Sequence, residues 1–171
     1  GTLTLYDLAS GHGIGSSLVA RRQVPMEVSA LCWNGAASHL LAACAGDGLA
    51  MLWDVRMGRS GELIKCECQS PADGGSTSTS AVCWVNEHAL LASCGGSLRL
   101  WDVRNPSQPL LQWSAHEGAE VLSVAPTGST ADDPLVSIGA DGVVKLWQLP
   151  SSGGEAWLDA AAQGGGGDGG G

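Results

Sequence analysis

The sequence predicts an all-β chain of repeated, four-stranded antiparallel sheets, and three observations predict it. Leu-Trp-Asp-Val-Arg occurs twice, at Leu52–Arg56 and Leu100–Arg104, with a degenerate copy at Leu146–Leu149 and a fourth, Leu-Tyr-Asp-Leu, at Leu5–Leu8. The aromatic positions Tyr6, Trp53, Trp101 and Trp147 follow one another at intervals of 47, 48 and 46 residues, and self-similarity at such a period marks a repeat architecture. Between them short apolar runs alternate with Gly, Asp, Asn and Pro, the pattern of strands and turns, and no segment sustains a helical period.

The elements follow in order. Gly1–Leu5 alternates like a strand, and Ser16–Arg22 reads as another. The first full round is Val28–Trp33, Leu40–Cys44, Leu49–Trp53 and Leu63–Cys68. The second is Ser80–Val85, Leu90–Cys94, Leu98–Trp101 and Leu110–Ser114. A third begins with Glu120–Ala125, Leu135–Ile138 and Val143–Trp147. Asp47-Gly48 and Asp141-Gly142 stand where a hairpin reverses, and Gly tolerates the positive φ needed there. Cys32 to Cys83 is 51 residues, Cys44 to Cys94 is 50 and Trp53 to Trp101 is 48, because Ala45-Gly46-Asp47-Gly48 shrinks to Gly95-Gly96. A turn tolerates such a deletion. Residues 1–150 are therefore expected to carry a partial first repeat and three fuller ones. Ala9–Gly15 and Pro71–Thr79 read as long Gly/Ser-rich loops, 151–163 as a last strand or short helix, and 164–171 as a flexible Gly-rich tail.

Composition narrows the function. The 171 residues suffice for one domain, and 44% are hydrophobic. Eight basic against 17 acidic side chains give a net charge of −9, and Arg21-Arg22 is the only adjacent basic pair, so direct nucleic-acid binding is not expected. No apolar stretch reaches the ~18 residues of a membrane helix and no signal peptide is visible, so no membrane insertion is expected. The chain opens without Met, already in strand-like alternation, which points to a larger protein. Of six cysteines, Cys32/Cys83 and Cys44/Cys94 recur with the repeat and read as small buried hydrophobes. Cys66-x-Cys68 lacks the second ligand pair of a zinc site. No metal or cofactor is expected, and a reducing, intracellular compartment fits.

Four short strands closing on Leu-Trp-Asp-Val-Arg, with an Asp-Gly hairpin six residues before Trp53 and Trp147, resemble the WD-repeat family of β-propellers. The resemblance implies radial four-stranded blades around a channel, with each sequence repeat supplying the outer strand of one blade and three inner strands of the next. Since the family usually has seven blades, it also implies that further blades lie elsewhere in the protein or on a partner. It implies, finally, a buried hydrogen-bond network of four groups per blade. The last repeat carries all of them: His116, Ser137, Asp141 and Trp147. The first keeps Asp47 and Trp53 but has Ala43 in place of Ser, and the second keeps Ser93 and Trp101 but lacks the hairpin Asp.

No catalytic residues are expected. His116, Ser137 and Asp141 have the residue types of a hydrolase triad, but neither a Gly-x-Ser-x-Gly elbow nor an oxyanion loop accompanies them. Gly11-His12-Gly13-Ile14-Gly15 lacks the helix and Lys of a phosphate loop. No small-molecule substrate is expected either.

The chain instead reads as a non-catalytic scaffold that holds other proteins in a multi-subunit complex. Arg56 and Arg104, Trp113 on an outer strand, and Trp157 are its candidate partner-binding residues. Leu40–Arg56 resembles the box of WD-repeat substrate receptors of cullin–RING ubiquitin ligases, and Leu90–Arg104 resembles it without the hairpin Asp. Ser78–Val82, Leu90-Leu91, Ser97–Arg104 and Pro106-Ser107-Gln108 resemble a blade of the small propeller nucleoporin of the Y-shaped nuclear pore scaffold. That resemblance implies a nuclear pore component, at the nuclear envelope or in the cytoplasm, with a ciliary or motor-complex subunit as a further alternative.

Overall fold

The computed structural model describes residues 1–7, 18–24, 27–46, 48–57, 64–67, 78–128, 130 and 132–150. Among these residues thirteen strands fall in four antiparallel sheets. The first holds β1 (Thr2–Tyr6) and β2 (Leu18–Gln23). The second runs β3 (Val28–Trp33), β4 (Leu40–Ala45), β5 (Leu49–Asp54) and β6 (Ile64–Glu67). The third runs β7 (Val82–Trp84), β8 (Ala89–Cys94), β9 (Ser97–Asp102) and β10 (Leu111–Ser114). The fourth holds β11 (Val121–Pro126), β12 (Leu135–Gly139) and β13 (Val144–Trp147). Neighbours in sequence are neighbours in each sheet, an up-and-down order that short hairpins can make. Among the described residues helix is limited to a single 3₁₀ turn, Val55–Met57.

The hairpins explain why these strands reverse where they do. Gly48, Gly95 and Gly142 stand at the same place between the middle and third strands of successive sheets, with φ of 76°, 58° and 76°. An L side chain is strained there. Gly96 answers a different need. A Cβ on it would collide with the carbonyl oxygen of His116 and come within 2.6 Å of that of Ala119, because the loop between β10 and β11 lies directly on this hairpin. Gly96 O accepts the amides of Ala115 and His116, at 2.9 and 2.8 Å.

Three apolar clusters lie between successive sheets. Leu3, Ala20 and Val24 of the first meet Leu41, Ala43, Met51 and Trp53 of the second. Ala42, Cys44 and Leu52 of the second meet Trp84, Leu90, Ala92 and Trp101 of the third. Leu91, Leu98 and Leu100 of the third meet Val121, Val124 and Leu135 of the fourth. Strands β4, β5, β8 and β9 therefore bury both faces, which is why they read as unbroken apolar runs rather than alternating ones. The inner strands β3, β7 and β11 stand side by side and are stitched across the sheets. Ser29 Oγ donates to Thr79 O at 2.5 Å, Ser80 Oγ to Val121 O, and Trp84 Nε1 to Cys32 O at 3.2 Å. Sheets fanned about a common line of inner strands make the chain a partial β-propeller.

The tryptophans occupy matching places. Trp53, Trp101 and Trp147 pair with Leu41, Leu90 and Leu135 near the start of each middle strand, on the face turned to the preceding sheet. The first two are almost wholly buried and Trp147 is half-buried.

Register overturns one expectation. The residue across from the position two before each Trp is Ala43, Ala92 or Ser137. Ser93 instead pairs with Leu98 and lies on the opposite face of β8 from Trp101. Counting residues through the shortened Gly95-Gly96 hairpin misplaces it by one, and one residue in a strand changes the face. For the same reason Cys44 faces the third sheet and Cys94 faces the second, so both are buried but they are not equivalent. Asp47, the loops at 9–15 and 71–77, Cys68 and the segments 151–163 and 164–171 lie outside the described residues.

Candidate functional site

The densest polar constellation lies on the core face of the fourth sheet. β12 carries Ser137, the hairpin after it carries Asp141, β13 carries Trp147, and the loop after β10 brings His116 across from the third sheet. Trp147 Nε1 lies 2.9 Å from Ser137 Oγ, Ser137 Oγ 2.9 Å from His116 Nε2, and His116 Nδ1 2.9 Å from Asp141 Oδ2. An indole N–H can only donate. Ser137 therefore accepts from Trp147 and donates its own proton to Nε2, leaving Nδ1–H to donate to the carboxylate. Each member is satisfied in one direction, and the relay ties the third sheet to the fourth.

Space for this relay comes from Gly139, a residue that sequence reasoning missed. A Cβ there would overlap His116 Nδ1 and come within 2.5 Å of Asp141 Oδ1. Ser93 belongs to a different arrangement: its Oγ accepts the amides of Ser80 and Ala81, both at 3.0 Å, and so fixes the approach to β7.

Distances alone would suit nucleophile, base and acid. Accessibility does not, because Ser137 and His116 are completely buried and the Ser137 hydroxyl is already engaged on both sides. A reacting carbonyl would need a place about 3 Å from that oxygen, where Trp147 and His116 stand. Among the described residues no three His, Cys, Asp or Glu side chains converge as metal ligands would. Burial pushes the Cys83 thiol up to about 12, with Cys32 nearby adding to the effect, so it stays protonated and unreactive.

Known proteins resemble the chain in the same segments. The family model for "WD domain, G-beta repeat" matches residues 22–54 and 107–148, the stretches that hold β3–β5 and β10–β13. The chain belongs to the WD-repeat family. Mouse protein transport protein Sec31B is 29% identical over 134 residues, covering 75% of this chain and 11% of that protein. Budding-yeast WD repeat-containing protein YPL247C is 26% identical over 166 residues, 88% of this chain and 31% of its own length. The fission-yeast peroxisomal targeting signal 2 receptor is 41% identical over 70 residues, 39% of this chain and 22% of the receptor. The chain thus spans less than a third of each of these relatives.

In this WD-repeat chain the two Leu-Trp-Asp-Val-Arg copies close on themselves. Arg56 Nε and Nη2 meet Asp54 Oδ1 and Oδ2 at 3.0 and 2.6 Å, and the Arg56 amide donates to Asp54 Oδ1. Arg104 repeats the pattern on Asp102 at 2.9 and 2.8 Å. Both arginine side chains remain exposed, at 65% and 46%, but the fork that would grip a partner's carboxylate already grips the chain's own. Trp113, the outer-strand candidate, leans on Trp147 with ring centroids 5.9 Å apart. Its indole nitrogen is buried without a hydrogen-bond partner, beside a cleft of about 230 Å³ that runs to Pro150. Trp157 lies outside the described residues.

Three carboxyls should make the fold acid-sensitive. The hydrogen bond from His116, then the amide of Val143, hold Asp141 below its ordinary 3.8. Arg56 does the same for Asp54. Burial pushes Asp102 up, but the bonds from Arg104 outweigh it and the net shift is downward. A depressed native value means that the folded state favours the ionised form. That contribution is complete above the unfolded carboxyl range near pH ~4 and is lost as pH falls through the lower native values. Denaturant midpoints are expected to be level from pH 7 to about 5 and to drop below about 4, and Asp141→Asn is expected to flatten part of the drop.

Proposed function

We propose that this chain works as a non-catalytic docking platform within a WD-repeat subunit of a larger protein assembly, and most specifically one in the nuclear pore scaffold. One observation carries the non-catalytic part: the sole Ser–His–Asp relay among the described residues is sealed inside the sheet packing, and its hydroxyl is spent on holding Trp147. A docking role is supported by the surface. Leu122, Ile138, Val144 and Leu146 are exposed together on the last sheet, and apolar patches of this kind mark association surfaces. Two relatives bear names that speak of protein transport or targeting, in keeping with a place in transport machinery. The nuclear pore reading rests on the residues between Ser78 and Gln108, which form β7, β8, β9 and the turn after them. Partners would then be other proteins, met inside the cell at the nuclear envelope or in the cytoplasm.

Affinity purification of the full-length protein with quantitative mass spectrometry tests this. Stoichiometric recovery of a stable assembly, unchanged by Arg56→Ala and Arg104→Ala, is the expected result. Loss of a single adaptor in that double variant, with the fold intact, would instead favour the ligase-receptor role. Recovery of a lone protein with turnover that Ser137→Ala removes without unfolding would overturn the platform reading.

A further inference from the structure

The inner strands of three successive sheets end at one cleft of about 480 Å³. Its walls include Cys32, Trp33, Asn34, Trp84, Asn86 and Pro126. The two tryptophans are repeat-equivalent, since Trp33 pairs with Leu41 and Trp84 with Leu90, yet they are used differently. Trp84 is packed between sheets and donates to Cys32 O, whereas Trp33 is 45% exposed. The rim is rigid. Asn34 Oδ1 accepts the amides of Ala36 and Ala37, Asn86 Oδ1 accepts those of His88 and Ala89, and Asn34 Nδ2 reaches across to Glu87 O at 2.9 Å.

The rim is also acidic. Glu87, next to Asn86, is exposed, and the carboxylate of Asp133 lies against Gly128, another wall residue, so closely that no Cβ would fit there. Among the described residues no Lys or Arg lines the cleft. The basic groups on the loops after β3 and β7 are His39 and His88, which lie beside Asp54 and Asp102.

We propose that this cleft receives an arginine side chain from an extended segment of a partner protein, stacked on Trp33 and balanced by Glu87 and Asp133. A planar, weakly hydrated guanidinium suits an indole face better than a compact ammonium does. The charge of −9 over the chain steers a basic segment toward it. This deepens the docking reading and rests on it, by assigning one contact and its chemistry.

The test is an NMR titration of the full chain with acetyl-Gly-Arg-Gly-amide and with its citrulline counterpart, which keeps the shape and loses the charge. Saturable shifts at the Trp33 indole and at the Asn34 and Asn86 amides are expected. Binding should weaken about tenfold with citrulline or with Trp33→Ala, and about threefold with Glu87→Gln, a surface change that leaves the fold intact. Lysine in place of arginine should fall between. Equal binding of the two peptides, shifts centred elsewhere, or a Trp33 indole shielded from a neutral quencher in the full-length protein would overturn the proposal. If Trp33→Ala and Glu87→Gln leave the co-purified assembly untouched, the platform reading stands and this contact falls. If no assembly is recovered while the peptides still discriminate, the platform reading falls alone.

Discussion

Trp101→Ala is expected to lower the unfolding free energy by about 3–5 kcal/mol, the usual cost of deleting a fully buried indole. Trp101 is 1% exposed and packs between the second and third sheets, against Leu52 and Ala50 on one side and Leu90 and Ala92 on its own. None of these small or fixed neighbours can move in to refill the space, because both β8 and β9 are buried on their other face as well. The same substitution at Trp53 is expected to cost a comparable amount, since it occupies the matching place between the first and second sheets. At Trp147, which is only half-buried, the loss of packing should be smaller. Equilibrium denaturation in urea reads all three. A loss below about 1 kcal/mol at Trp101 would mean that the repeated tryptophans are not the wedges between sheets that their spacing implies.

Much of this fold is written locally, and its departures from expectation have local causes too. Strands appear within one or two residues of where apolar runs and turn glycines place them, because Gly48, Gly95 and Gly142 interrupt the chain at fixed points. Ser93 shows what the chain alone does not fix. Pairing is a property of two strands together, and a hairpin shortened by two residues leaves open on which side the slip is taken. The structure takes one residue of it on β8 and so turns Ser93 away from Trp101. Gly96 and Gly139 were invisible for another reason. Each is needed for the space above its Cα, which is filled by His116 and its loop from a distant part of the chain. The cleft at Trp33 and Trp84 has walls from three sheets, so no single segment announces it. By contrast, the resemblance that proposed His116, Ser137, Asp141 and Trp147 as a set needed only their spacing, and the structure brings those four side chains together.

Ser137→Ala should separate a structural relay from a chemical one. Removing the hydroxyl leaves the part-buried Trp147 Nε1 and the fully buried His116 Nε2 without the partner each now has at 2.9 Å. A buried donor or acceptor stripped of its partner costs about 1–3 kcal/mol, so a total loss of about 2–4 kcal/mol is expected in denaturant unfolding. His116→Ala combined with Ser137→Ala should cost less than the two single changes added together, because the relay can be broken only once. The surrounding surface should respond as well. With Trp147 released, its contact with Trp113 across the two sheets loses its anchor, and amide exchange along β13 should quicken before that of β8 or β9. A loss below about 1 kcal/mol would mean that the hydroxyl does not hold Trp147 and His116 as a structural relay requires.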